Sequence, residues 1–191
     1  MLRPNAPLGS MLGRLIAADG PWPQWSKLAH CCRGMAGLAQ GAMRIALFQP
    51  DLPPNVGTLV RMGACLGLAV DIIRPCGFPL GREALRRSAM DYFEQAEIHI
   101  HADWAAFQDG VPGRRVLLTT KASVPYTDAA YLPDDVLVVG QESVGAPDFV
   151  HDAAALRVRI PMKPGLRSLN VALAAAMVAG EALRQTGFSP K

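Results

Sequence analysis

The chain has 191 residues, 50% of them hydrophobic and 18% charged, with a net charge of +3. That balance predicts one globular domain with a real core, and the mild positive charge permits an RNA partner without requiring one. The cysteines Cys31, Cys32, Cys65 and Cys76 show neither Cys-x-x-Cys spacing nor a Cys/His cluster, so neither a zinc site nor a disulfide framework is indicated, and reduced thiols in the cytoplasm are expected. Residues 1–42 hold Pro4, Pro7, Pro21 and Pro23, many glycines, and Trp22 and Trp25 without a periodic pattern. Gly9, Gly13, Asp19 and Gly20 interrupt any apolar stretch after Arg3, which argues against a secretory signal. We expect residues 1–42 to be a disordered leader or an unused upstream start, with the domain opening at Met43 and running over 43–191.

From Met43 the pattern alternates. Strands are predicted at 44–48, 69–73, 97–101, 115–120, 136–140 and 156–160, all short, rich in Val, Ile and Leu, and bounded by Gly, Pro or Asp. Helices are predicted at 55–66, 81–91, 103–108, 147–153 and 168–186, with Gly67 at the C-terminal cap of the first. Strands alternating with helices imply an α/β fold: a mainly parallel sheet covered on both faces. The last helix carries no charged side chain from Val171 to Gly180. A helix apolar all round is expected to be buried all round, and this run is far shorter than the roughly 20 residues needed to span a bilayer. The sheet can cover one side. A second copy of the chain is the economical cover for the other, since a domain this small has little core to spare.

The most informative stretch is Arg159-Ile160-Pro161-Met162-Lys163-Pro164-Gly165-Leu166-Arg167-Ser168-Leu169-Asn170. A strand end meets a Pro/Gly-rich loop that delivers Ser168 and Asn170 to the start of the last helix. Ser is a favoured N-cap, and ligands of open α/β sheets bind beyond the carboxyl ends of the strands. The chain has no Gly-x-Gly-x-x-Gly and no Walker pattern, so a dinucleotide or P-loop nucleotide site lacks its phosphate loop. This leaves a nucleotide-dependent oxidoreductase as a distant alternative.

Ile160-Pro161-Met162 with Arg167-Ser168-Leu169-Asn170 resembles the third motif of the SPOUT superfamily of RNA methyltransferases. Asn55-Val56-Gly57-Thr58-Leu59-Val60-Arg61 resembles the first, and Gly140-Gln141-Glu142-Ser143-Val144-Gly145 the second. Leu85-Arg86-Arg87-Ser88-Ala89-Met90-Asp91-Tyr92 and Leu118-Thr119-Thr120-Lys121 narrow the likeness to small enzymes that 2′-O-methylate the wobble nucleotide of tRNA. The resemblance covers residues 43–191. It implies S-adenosylmethionine as cofactor with no metal, the tRNA anticodon loop as partner, and no membrane. It also implies a homodimer through the first and last helices of the domain, and a deep C-terminal trefoil knot. Knots are very rare, and nothing in the periodicity points to one.

On matching positions the resemblance assigns the cofactor pocket to Leu118, Gly140, Ile160 and Ser168, and the catalytic group to Arg61, Asn55, Glu142 and Asn170. Without it, Leu118 and Ile160 read equally as strand core, Gly140 as a turn glycine, Glu142 as a surface loop residue and Arg61 as a solvated helix position. A guanidinium does not deprotonate under ordinary conditions, so Arg61 would stabilise alkoxide charge at the 2′-oxygen rather than act as a base. Asn55 would orient Arg61 or cap its helix, Glu142 would pair with Arg61, orient the cofactor loop or accept a proton, and Asn170 would bridge that loop to Arg61. Thr58 departs from the family, where Asn is frequent. Arg82, Arg86 and Arg87, with Lys121, form a candidate phosphate-contacting set; a solvated face is the plain alternative. His99 and His101 share one side of a strand and read as structural, and His151 carries no pattern. The nearest functional alternative is a related enzyme acting on another tRNA or ribosomal RNA site. The alternative of another class is a non-catalytic module that binds S-adenosylmethionine or RNA.

Overall fold

The strand that opens at Arg44 lies inside the sheet, and both of its faces find cover. The computed structural model describes residues 42–187, so the leader expected over 1–42 lies outside the described residues except for its last position. In chain order the elements are β1 (Arg44–Phe48), α1 (Pro53–Leu66), β2 (Ala69–Ile73), α2 (Arg82–Ala89), a short 3-10 helix (Met90–Gln95), β3 (Ile98–His101) and α3 (Trp104–Gly110). They continue as β4 (Arg115–Leu118), β5 (Val124–Pro125), β6 (Val136–Val139), α4 (Asp148–Ala153), β7 (Leu156–Arg159) and α5 (Val171–Thr186). The described residues form a seven-stranded sheet in the order β3-β2-β1-β6-β4-β7-β5. Every pairing is parallel, so the expected α/β architecture holds.

Side chains alternate across the sheet. Ile45 and Leu47 join an apolar cluster with Val56, Leu59 and Val60 of α1, Leu85 of α2, and Ala175 and Val178 of α5. Ala46 and Phe48 face the other way, onto Phe107 of α3 and Val150 of α4. Helices therefore cover both faces, which is why the inner strands β1 and β6 are apolar almost throughout. Gly57 lets α1 and α2 touch: a Cβ there would lie 2.3 Å from the Ser88 carbonyl oxygen.

Two buried carboxylates hold the sheet where apolar contact cannot. Asp71, in mid-strand, accepts from Arg44 Nε at 2.8 Å and Arg44 Nη2 at 3.0 Å, and lies 2.7 Å from His101 Nε2. Asp135 accepts from Arg114 Nε and Nη2, both at 2.8 Å, and from the Leu132 N–H at 2.8 Å. Both carboxylates are fully buried, and each has the paired, hydrogen-bonded partner that buried charge requires. His101 is thus structural, as expected.

Several expectations need correction. The last helix begins at Val171, not at 168, and its N-cap is Asn170 rather than Ser168: the Asn170 Oδ1 accepts from the N–H groups of Ala172 (2.9 Å) and Leu173 (3.3 Å). α1 begins at Pro53 with Leu52 at its N-cap, so Asn55 sits inside the first turn and is not a cap. The predicted strands at 115–120, 136–140 and 156–160 end one or two residues early, and β5 was not anticipated. The all-round burial expected of α5 also fails within one chain. Ala172, Ala175, Val178, Ala179 and Ala182 are buried, while Leu173 is 60% and Met177 41% exposed. No helix among the described residues is long and apolar enough to cross a membrane.

Candidate active site

The carboxyl ends of β4, β6 and β7 open onto a cavity of about 700 Å³. Its walls come from residues 118–121, residues 139–146 and the segment between Val158 and Val171. Leu118, Gly140, Ile160 and Ser168, assigned to the cofactor, all border it. Asn55, Glu142, Asn170 and Lys121 border it too, whereas Arg61 does not. At Gly140 the loop turns back so tightly that a Cβ would lie 2.6 Å from the Ala146 nitrogen, and Gln141 and Gly145 exchange backbone hydrogen bonds across the turn. This is a close approach of backbone to backbone that only glycine permits.

The three motif segments meet in one hydrogen-bonded chain. The Asn55 side-chain amide donates to Glu142 Oε1 at 2.9 Å, and its carbonyl accepts from Asn170 Nδ2 at 2.9 Å. Asn170 then caps α5 through its own carbonyl oxygen. The second oxygen of Glu142 accepts from the Asp51 N–H at 2.7 Å. The Asp51 carboxylate returns the contact, accepting from the Ser143 N–H at 3.1 Å and the Ser143 hydroxyl at 2.5 Å. The β1–α1 loop, the β6–α4 loop and the start of α5 are therefore fastened by side chains that cannot exchange donor and acceptor roles freely.

This chain replaces the expected contacts of Arg61. Glu142 spends its oxygens on Asn55 and Asp51, and Asn170 reaches Asn55. Arg61 is exposed on α1, its guanidinium carbon 4.7 Å from the centre of the Tyr92 ring. That is cation–π geometry. Tyr92 closes the segment Leu85–Tyr92 singled out in the sequence, but its pairing with Arg61 was not foreseen. Thr58 bonds back to the Pro54 carbonyl at 2.9 Å within α1, which accounts for its hydroxyl without a site role. Arg82 opens α2, and Arg86 and Arg87 border a shallow depression with Glu83 and Asp91, distinct from the main cavity. The described residues contain no group of three or more His, Cys, Asp or Glu side chains that could hold a metal.

Two features of the cavity escaped the sequence. His151 borders it from α4, buried. Leu52, Val144 and Leu169 border it with exposed apolar side chains.

The donor set fits S-adenosylmethionine. The walls offer backbone groups at strand ends, the Ser168 hydroxyl, both charge signs in Lys121 and Glu142, and a buried ring nitrogen of His151 that has no partner among the described residues. A neutral nucleoside and a zwitterionic amino-acid end can each find complementary groups there.

A protein of Beijerinckia indica named tRNA (cytidine(34)-2'-O)-methyltransferase is 53% identical over 150 residues, covering 77% of this chain and 94% of its own length. A solved structure described as giving structural insights into the 2-OH methylation of C/U34 on tRNA superposes with a TM-score of 0.72 at 33% identity, over 76% of this chain and 97% of the other. An AdoMet-bound rRNA methyltransferase from Sinorhizobium meliloti superposes with a TM-score of 0.68 at 27% identity, over 76% of this chain and 57% of the other. The SpoU rRNA Methylase family matches residues 42–180. The chain is a member of that family, an α/β RNA methyltransferase that uses S-adenosylmethionine.

Proposed function

We propose that the protein methylates the ribose 2′-hydroxyl of the wobble nucleotide, cytidine or uridine 34, of tRNA. The observation that carries the reading is the Glu142–Asn55–Asn170 chain, which joins all three motifs at the mouth of the cavity. The likeness to a cytidine-34 2'-O-methyltransferase over almost its whole length supports the choice of nucleotide. S-adenosylmethionine supplies an electrophilic methyl group on a sulfonium, so the protein's part is to hold, align and exclude water. In this reading Leu118, Gly140, Ile160 and Ser168 hold the cofactor, and Glu142, Asn55 and Asn170 fix the loops around it. Arg61, steadied by Tyr92, stabilises negative charge as the 2′-hydroxyl loses its proton. Arg82, Arg86, Arg87 and Lys121 bind phosphates of the anticodon loop, positioning it without reading sequence.

The active unit is a homodimer through α1 and α5, and the working domain begins at Met43, in the cytoplasm. The exposed apolar side chains of α5 support the dimer. The start of β1 at Arg44 supports the domain boundary. A knotted path for the last segment is supported by β7, a late strand that lies between β4 and β5 instead of at an edge. The test is direct. Purified protein, S-adenosylmethionine and tRNA transcripts should yield one 2′-O-methylated nucleotide, mapped by mass spectrometry to position 34. A transcript with a 2′-deoxy sugar at that position should accept none. Methylation at another position, or none in any tRNA, would overturn the assignment.

A further inference from the structure

His151 is the one described residue whose buried polar side-chain atom lacks a partner. The residue is 7% exposed, and its Nε2 has no hydrogen bond to any described group. Its main chain is satisfied: the N–H donates to the Pro147 carbonyl at 3.2 Å, and its own carbonyl accepts from the Ala154 N–H at 3.3 Å. Its Nε2 is the side-chain atom left buried without a partner. Buried polar atoms are rarely orphaned, because each forfeits its hydrogen bonds to water without replacement. This one belongs to a residue bordering the 700 Å³ cavity.

We propose that His151 Nε2 hydrogen-bonds the nucleoside part of S-adenosylmethionine and so sets the cofactor's depth in the cavity. The contact rests on the reading of this cavity as the cofactor site. The choice of the nucleoside follows from the surroundings. Next to His151 along α4 and its preceding loop, Val150 and Ala146 are buried in apolar core, and Val139 at the end of β6 borders the same cavity. A carboxylate or ammonium placed there would lose its hydration for little return. The charged side chains of the cavity, Lys121, Glu142, Arg159 and Arg167, come from other segments and suit the amino-acid end. A nucleoside is neutral and offers ring nitrogens as acceptors and hydroxyls as both donors and acceptors, so an imidazole nitrogen in either tautomer finds a match.

The test uses the full chain and two variants. His151→Leu keeps a similar bulk and removes the nitrogen; His151→Gln returns a polar atom at similar reach. Calorimetry with S-adenosylmethionine and with 5′-methylthioadenosine, which lacks the amino-acid end, is combined with melting of the ligand-free proteins. His151→Leu should melt at or above the wild type, because an orphaned polar atom is gone, yet bind both compounds about tenfold more weakly. His151→Gln should recover most of that loss. Equal affinity of wild type and His151→Leu for both compounds would overturn the contact, leaving water as the partner of Nε2. A loss confined to S-adenosylmethionine would overturn it in favour of the amino-acid end. A ligand-free His151→Leu that melts well below the wild type would make the residue a fold determinant. Wild-type protein that binds neither compound would refute the cofactor reading itself, and this contact with it.

Discussion

Asn55 donates to a carboxylate with one end of its amide and accepts from another amide with the other, so its two ends are not interchangeable. Asn55→Asp preserves the volume but replaces the donor facing Glu142 with an acceptor and adds a like charge. We predict a stability loss of about 1–3 kcal/mol by denaturant unfolding, together with weaker S-adenosylmethionine binding, because the β6–α4 loop and the start of α5 lose their common anchor. Arg61→Ala should behave in the opposite way. Arg61 does not border the cavity and stacks on Tyr92, so cofactor affinity and stability should stay near wild type while single-turnover methyl transfer falls ~10²–10³-fold. Arg61→Lys should recover little, since an ammonium lacks the planar fork and stacks less well. If Arg61→Ala keeps its turnover, the charge-stabilising role is lost; if Asn55→Asp unfolds no earlier than wild type, the bridge is not what fastens the loops.

The elements were legible wherever chemistry repeats along the chain. β6 is an unbroken apolar run, β1 is one after Arg44, and β2 is one apart from Asp71; a parallel sheet buried on both faces favours that pattern. β5 escaped because Val124–Pro125 is too short to carry a period. The start of α5 was ambiguous for a different reason. Ser168 and Asn170 are both good caps, and the choice is made by a tertiary partner, Asn55, far away in the chain. The motif residues around the cavity were found because a family pattern names them; Tyr92 beneath Arg61 and the buried His151 were not, since neither pairing nor burial leaves a local signal. One clamp between elements has a pH consequence. Gln185 of α5 accepts from the Tyr131 N–H at 3.1 Å and donates to the Ala129 carbonyl at 3.0 Å, while the Tyr131 hydroxyl donates to the Tyr126 carbonyl at 2.9 Å. Burial pushes the Tyr131 phenol well above its ordinary value near 10, helped by the nearby carboxylates of Glu181 and Asp135. The folded state therefore holds this proton longer than the unfolded state. Its contribution is complete below about pH 10 and declines as pH rises beyond that. Denaturant midpoints should fall between about pH 9.5 and 11.5 more steeply for wild type than for Tyr131→Phe. Parallel slopes would exclude the phenol as the cause.

At the scale of the whole molecule, one face of α5 is out of place on an isolated chain. Leu173, Ala176, Met177 and Gly180 are exposed at a spacing that puts them on a single stripe, while Ala172, Ala175, Val178, Ala179 and Ala182 close the core on the other side. Leu166 and Leu169, in the loop that precedes the helix, are exposed as well. In the proposed homodimer a second copy of the chain would cover such a stripe by symmetry, each α5 face meeting its equivalent. The two neighbouring alanines then separate folding from assembly. Ala175 is fully buried against the sheet, so Ala175→Glu should prevent folding. Ala176 faces outward, and Ala176→Glu should leave the circular-dichroism spectrum intact while placing a charge in the proposed interface, at a cost of about 3–5 kcal/mol if it stays unpaired. Sedimentation should report half the wild-type mass. Cofactor binding should weaken in the same variant, because Asn170 is both the cap of α5 and a link in the chain to Asn55 and Glu142, so a displaced helix displaces the cavity wall. Wild-type protein that sediments as a monomer at micromolar concentration and still methylates tRNA at full rate would disprove the dimer and its coupling to the site together.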